Sequence, residues 1–169
     1  MLYYEITDTS GQPKQQELNK VIDITKDMWG SGKLTIISLT GLQKIANKEN
    51  IVEKKFETHV VPGADNKQQH VVNIWLGFKG DSDQDNWVRG SGEASMLNTG
   101  KVSTVNGTRQ YEEFTYIDSK YRYAMAEKRA YSRALLKLIR LYGVYSEVEA
   151  REFSESKPPQ GAESTDFDY

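Results

Sequence analysis

Apolar and polar residues alternate along this chain with the two periods that distinguish helices from strands. The longest helical pattern covers residues 118–143, where no proline interrupts the sequence. Asp118 or Ser119 can accept a hydrogen bond from the first turn of a helix, and Gly143 can adopt the left-handed conformation that ends one. We therefore expect one long helix over residues 118–143.

The side chains of this helix separate into two faces when successive residues are turned by about 100°. The face predicted to be buried consists of Tyr131, Leu135, Leu138, Ile139 and Tyr142. The opposite face is basic and consists of Arg122, Arg129, Arg133, Lys137 and Arg140. Glu127 is the one acid between residues 120 and 143, although solvated helices usually mix charges of both signs. This basic stripe predicts contact with nucleic-acid phosphates, and a solvated outer face of a core helix is the alternative.

Shorter elements precede the long helix. A β-branched run predicts a strand over residues 34–38, and Thr40 is the expected N-cap of a short helix that ends near Asn50. Residues 51–61 and 71–79 follow a strand period on either side of a turn sequence at 62–66, which predicts a hairpin. The predicted apolar face of this hairpin consists of Val52, Phe56, Val60, Val72, Ile74, Leu76 and Phe78.

A third strand is expected over residues 86–95, where Gly90 and Gly92 indicate a bulge or the close approach of another backbone. Asn106 and Gly107 indicate a turn within residues 102–111, which fit a small hairpin or a mobile loop. Residues 1–32 are ambiguous. Residues 2–6 fit a short strand, whereas residues 15–29 fit either a helix or a segment with a strand at 21–25.

These elements predict an α+β fold in which a curved antiparallel β-sheet packs against one long α-helix. Residues 1–150 form the predicted domain. From Glu152 onward the sequence has five acids, one base and few apolar residues, so we expect residues 151–169 to be a disordered acidic tail.

Composition excludes several classes of protein. The 169 residues are enough for one domain with a substantial core, and the absence of cysteine excludes disulfides and thiolate metal sites. No apolar run approaches the roughly 20 residues that span a bilayer, and no signal peptide is visible, so we expect a cytoplasmic protein. The net charge of −2 is unevenly distributed. Residues 1–151 carry 21 bases and 19 acids and are slightly basic, whereas residues 152–169 are acidic.

Candidate catalytic residues are few. The sequence has no GxSxG, HExxH, phosphate-loop or dinucleotide-binding motif, so we expect no enzymatic activity. His59 and His70 flank the hairpin turn, but the strand period places them on opposite faces, which argues against a metal site. The acidic loop over residues 81–85 lacks the glycine and the bidentate glutamate of a calcium loop.

Two tryptophans lie among cations on the predicted sheet. Trp75 falls on the polar face of its strand, and Trp87 shares a face with Arg89. Aromatic rings beside cations suit the stacking of unpaired bases. The alternative is that each ring packs under a loop or at a contact between subunits.

The order of these elements resembles that of single-strand annealing proteins of the Rad fifty-two type and their phage relatives such as Erf. The matching sequences are LTGLQKIAN, RGSGE and AEKRAYSRALLKLIRLYG, within residues 34–145. The resemblance implies ring or filament oligomers and single-stranded DNA held in a basic groove with its bases exposed for pairing, without ATP or metal. By position, Arg129, Arg133, Lys137 and Arg140 would line that groove, with Lys44 and Lys48 as further candidates.

The sequence therefore predicts a cofactor-free homo-oligomer that binds single-stranded DNA and promotes annealing in recombination or repair, in a bacterial or phage-infected cell. The predicted DNA contacts are Arg122, Arg129, Arg133, Lys137, Arg140, Lys44, Lys48 and Arg89, with Trp75 and Trp87 as base-stacking candidates. One alternative is a protecting single-strand binding protein with a five-stranded barrel and a tail that docks on a replication or recombination protein. Another is a protein-interaction module whose basic stripe meets an acidic partner.

Overall fold

A computed structural model describes residues 2–7, 10–31, 34–62, 68–94, 102–106, 108–111 and 116–150 of the chain. The fold is α+β, as the sequence predicts. The strands are β1 (Tyr3–Thr7), β2 (Pro13–Glu17), β3 (Met28–Ser31), β4 (Leu34–Ile37), β5 (Ile51–Pro62), β6 (Gln68–Phe78), β7 (Val88–Ala94), β8 (Val102–Val105), β9 (Thr108–Tyr111) and β10 (Val144–Ser146). The α-helices are α1 (Ile24–Asp27), α2 (Leu39–Lys48), α3 (Tyr116–Leu138) and α4 (Glu147–Ala150).

The described strands form four small sheets. β5, β6 and β7 form an antiparallel sheet in that order, with the expected hairpin as its first two strands. A second three-stranded sheet has the order β10-β4-β3, in which β10 runs parallel to β4 and β3 runs antiparallel to it. β1 pairs with β2, and β8 pairs with β9, each antiparallel. Residues 102–111 are thus a hairpin, one of the two structures expected there.

Helix α3 packs against one face of the β5-β6-β7 sheet at unusually short range. Ala126, Ala130 and Ala134 are fully buried in this contact and recur every four residues, so they share one side of the helix. Opposite them lie Gly90 and Gly92 of β7. A Cβ atom at either glycine would overlap a backbone carbonyl oxygen of α3. The glycines therefore mark a close backbone approach, which is one of the two interpretations that the sequence left open.

A β-bulge changes which residues of β5 face the helix. The pairing register between β5 and β6 shifts between Glu53 and Lys55, which adds one residue to β5. Before the bulge Ile51 is buried and Val52 is exposed, whereas after it Phe56 packs against the core. The prediction that Val52 lies on the apolar face is therefore wrong, because the period of two was continued through the bulge. The predicted inward positions of β6 are confirmed, since Val72, Ile74 and Leu76 are buried.

Helix α3 ends at Leu138, five residues before the predicted Gly143. The Leu141 amide donates to the Leu136 carbonyl at 3.1 Å, and the Arg140 amide donates to the Lys137 carbonyl at 3.2 Å. Arg140 has a φ of 49°, so it occupies the left-handed position that usually belongs to glycine in this type of helix end. Gly143, with a φ of 75°, serves the turn into β10 instead.

Described residues of the N-terminal part of the chain pack near the C-terminal end of α3. Residues 13–31 contain two strands, one 3-10 turn and the short helix α1, so neither interpretation offered for residues 15–29 is correct. Tyr4, Leu18 and Ile22 belong to the same apolar cluster as Leu135 of α3 and Ile139, which follows the end of that helix. The N-cap of α2 is Ser38 rather than Thr40, because the Ser38 Oγ accepts from the Gly41 amide at 2.9 Å.

Among the described residues, no helix combines the length and apolar character needed to cross a membrane. The expected disordered tail, residues 151–169, lies outside the described residues.

Replacing Gly90 by alanine should destabilise the fold by about 3 kcal/mol or more, the upper end of the cost of overpacking. The added methyl would meet backbone atoms of α3, which cannot rotate away as a side chain could. Gly30→Ala is the matched control, since its nearest contact would be the Leu34 carbonyl at an ordinary 3.8 Å. Chemical denaturation measures both variants, and equal midpoints would contradict the close packing of α3 on β7.

Candidate nucleic-acid interface

The predicted basic stripe of α3 is not a continuous exposed surface. Arg129 is 0% exposed, and its Nη1 donates to the Glu93 carbonyl at 2.6 Å. The Arg133 Nη1 donates to the Ser91 carbonyl at 2.8 Å. Both carbonyls belong to β7, which is an edge strand within the described residues. The two arginines therefore satisfy two backbone carbonyls on the edge of the sheet.

The other members of the stripe are placed differently from one another. Arg122 is buried, Arg140 forms an ion pair with Glu5, and Lys137 is exposed. Tyr142, expected on the buried face, is 78% exposed. The helical wheel assumed one buried side, whereas α3 contacts the sheet, α2, β10 and α4. A helix packed on several sides buries part of its polar arc as well.

A second ion pair ties the stripe to the following helix. The Arg133 Nε lies 2.5 Å from the Glu149 Oε1 of α4. Arg133 and Arg140 thus each already pair with a carboxylate of the same chain, which a phosphate would have to displace. Of the residues predicted on the short helix, Lys44 bonds the buried carboxylate of Asp27 at 2.8 Å, and Lys48 is exposed.

A different cationic surface lies on the side of the β5-β6-β7 sheet that faces away from α3. We call it the outer face and define it by Lys54, Lys55, Glu57, Asn73, Trp75, Trp87, Arg89 and Ser91. Trp75 lies between the buried Ile74 and Leu76, so alternation directs it away from the helix, as predicted. In the register, Trp75 is paired with Lys55 on β5 and with Arg89 on β7.

These three side chains form a compact row across the sheet. The Lys55 Nζ lies 4.7 Å from the centroid of the Trp75 ring, and the Arg89 Cζ lies 6.0 Å from it. Beside this row, Trp87 lies close to Gly77, and the Lys54 Nζ is 6.0 Å from the Trp87 centroid. Trp87 thus shares a face with Arg89, as predicted, and Trp75 lies on that same face.

Glu57 is the anion of this row. Its Oε1 lies 2.7 Å from the Lys55 Nζ. The hydrogen bond from Lys55 lowers the pKa of the Glu57 carboxyl, and the charges of Lys55, His59 and Arg89 act in the same direction. The row therefore already holds one carboxylate in the field of its two cations.

The opposite side of the sheet has the wrong charge for phosphates. Glu53 precedes the bulge in β5 and feels the charge of Glu127 on α3. Desolvation, followed by repulsion from Glu127, raises the pKa of Glu53. Desolvation and the same two carboxylates raise the pKa of Tyr123. A groove between β5 and α3 would thus present acids to a polyanion.

The histidines do not form a metal site in the described part of the chain. His59 is exposed and lies 3.9 Å from Glu57, whereas His70 packs edge-on against Tyr123, so the two lie on opposite faces as expected. No group of three or more His, Cys, Asp or Glu side chains with metal-binding geometry occurs among the described residues.

Lys55 and Glu57 were missed by the sequence analysis. The sequence did contain a signal for them, since both flank the inward-facing Phe56 on the strand that pairs with Trp75. The bulge concealed it, because only the shifted register places Lys55 directly across from Trp75.

Comparisons with known proteins add no relative: no protein-family profile, curated protein or solved structure matches this chain.

Arg129→Met should reduce the free energy of unfolding by about 1–3 kcal/mol, the cost of leaving a buried hydrogen-bonding group such as the Glu93 carbonyl without its donor. Lys137→Met changes the same charge at an exposed position of the same helix and should stay within about 0.5 kcal/mol of the unmodified protein. Urea denaturation distinguishes them. Equal stability of the two variants would contradict the structural role of Arg129.

Proposed function

We propose that this protein binds single-stranded nucleic acid, with single-stranded DNA as the substrate, through the outer face of the β5-β6-β7 sheet. The observation that carries the proposal is the row in which Trp75 lies between Lys55 and Arg89. A base stacked on the ring would place its flanking phosphates near the two cations. An unpaired base can reach the ring, whereas a base inside a duplex is already stacked on its neighbours.

The Trp75 ring should gain more free energy from a stacked base than from the neighbouring cations. A cation over an exposed aromatic ring contributes about 0.5–1 kcal/mol. Stacking of a base on such a ring contributes about 1–3 kcal/mol. A nucleotide can therefore displace the cations from the ring and engage them through its phosphates instead.

We further propose that the bound strand is presented for annealing to a complementary strand. A sheet surface holds bases by one ring face and leaves their pairing edges accessible. The α+β architecture with a long helix against an antiparallel sheet is compatible with the resemblance to annealing proteins of the Rad fifty-two type. The barrel alternative has less support, because the largest sheets within the described ranges have three strands.

Trp75→Ala should weaken binding to a fluorescently labelled oligo-dT by roughly 5- to 150-fold, the equivalent of about 1–3 kcal/mol of stacking. The affinity of the unmodified protein should fall as salt rises. Lys55 and Arg89 provide two phosphate contacts of about −0.7 each, so a plot of log affinity against log salt concentration should have a slope of about −1.4. Arg89→Gln should reduce that slope to about −0.7 by removing one contact. Fluorescence anisotropy at several salt concentrations measures all three quantities.

Lys137→Gln is the control for this experiment, because it removes an exposed cation from α3 and leaves the sheet unchanged. A reduced slope in Lys137→Gln together with an unchanged slope in Arg89→Gln would move the site to the helix and overturn the proposal. A slope near zero in the unmodified protein would favour the protein-interaction alternative. Annealing of two complementary oligonucleotides then distinguishes an annealing protein from a protecting one.

Glu57→Gln should tighten binding by up to about fivefold, because an exposed ion pair contributes about 0–1 kcal/mol and its loss frees Lys55 for a phosphate. Glu93→Gln is the matched control. It removes the same charge from the same β-sheet. The Glu93 carboxylate, however, accepts a hydrogen bond from Gln69 at 3.0 Å and does not pair with Lys55. Equal tightening in both variants would indicate a general charge effect and would contradict the specific role of Glu57.

A further inference from the structure

The outer face already accepts a carboxylate of its own chain. Glu57 bonds Lys55 at 2.7 Å, so the cation row of Trp75 is compatible with acidic side chains as well as with phosphates. Glu57 is one carboxylate among the three cations of the outer face, Lys54, Lys55 and Arg89, which leaves room in its charge balance for two more anions. The remaining question is which anionic group lies within reach.

The described structure ends on the helix side of this sheet, near the edge formed by β7. α4 ends at Ala150, and Glu149 next to it bonds Arg133. Arg133 in turn donates to the backbone carbonyl of Ser91 on β7. The side chain of the same Ser91 donates to the Asn73 Oδ1 at 2.6 Å, on the outer face and one register position from Trp75. One residue of β7 therefore connects the exit of the chain with the outer face.

The segment that follows has the complementary chemistry. Residues 152–169 contain five acids and one base, and they include the sequence Asp166-Phe167-Asp168. An aromatic ring between two carboxylates complements an aromatic ring between two cations. Length is no obstacle, since an extended chain advances about 3.3–3.6 Å per residue and neighbouring strands lie about 5 Å apart.

We infer that the acidic segment 152–169 docks on the outer face of its own chain, with Phe167 against Trp75 and with Asp166 and Asp168 at Lys55 and Arg89. This inference rests on the proposed function, since it names a regulator of that same surface. The docked segment competes with a nucleic-acid strand for one set of cations. It thereby lowers the affinity for short or weakly bound strands.

A spin label tests the contact directly in the full chain. The sequence has no cysteine, so Ser164→Cys provides one attachment point for a nitroxide within the acidic segment. Incorporated 5-fluorotryptophan gives one fluorine NMR signal for each of the three tryptophans, and Trp75→Phe identifies the signal of Trp75. We expect the nitroxide to remove most of the Trp75 intensity relative to the reduced label, with less effect on Trp29 in the other three-stranded sheet. An unchanged Trp75 signal would overturn the inference.

Charge variants of the labelled protein test the docking position. Asp166→Asn with Asp168→Asn should restore the Trp75 signal. Glu152→Gln with Glu155→Gln changes the net charge equally and should restore it less. Equal restoration by both pairs would overturn the assignment of the contact to residues 166–168.

Two mixtures separate the remaining outcomes. Fluorinated chain without label, mixed with labelled chain without fluorine, should show no loss of Trp75 intensity. A loss there would overturn intramolecular docking in favour of a neighbouring copy. Addition of oligo-dT to the doubly labelled chain should restore the Trp75 signal. A tail contact in a protein that binds no oligonucleotide would support this inference and overturn the proposed function, and binding without a tail contact would do the reverse.

Discussion

The contact between α3 and β7 is the constraint on which the rest of this structure depends. Ala126 and Ala130 on the helix meet Gly92 and Gly90 on the strand, so that backbone approaches backbone with no intervening side chain. Larger residues on either element would push the helix away from the sheet. One side of the β5-β6-β7 sheet is therefore buried against α3, and its outer face is directed away from the helix.

The same short separation explains the positions of the arginines. Because α3 lies so close to β7, the guanidinium groups of Arg129 and Arg133, one turn apart on the helix, reach the carbonyls on the edge of that strand. An exposed strand edge is a template for unwanted pairing, and covering it is a common protective device. Arg129 and Arg133 thus each donate a hydrogen bond to a backbone carbonyl of β7. Glu149 of the next helix forms an ion pair with Arg133.

The proposed binding surface therefore lies on the sheet rather than on the helix. The acids Glu53 and Glu127 lie on the helix side, whereas Lys55, Trp75 and Arg89 form a row on the outer face. Glu57 pairs with Lys55, so in the proposed function a phosphate would compete with its carboxylate. The sheet thus has one side that packs on α3 and another that carries Lys55, Trp75 and Arg89.

The sequence by itself determined the elements whose signals are local. The period of two identified the inward residues Val72, Ile74 and Leu76, and the turn residues identified the first hairpin. For residues 102–111 the sequence left a hairpin or a loop open, and for Gly90 and Gly92 a bulge or a close backbone approach. Only the tertiary structure decided the fate of the basic stripe, because a helical wheel shows which residues share a side but not how many sides are covered. Burial of Arg129 depends on a strand some 36 residues earlier, and the position of Lys55 opposite Trp75 depends on a bulge in the pairing of two strands. Both are relations between distant segments, to which no local pattern of hydrophobicity or charge is sensitive.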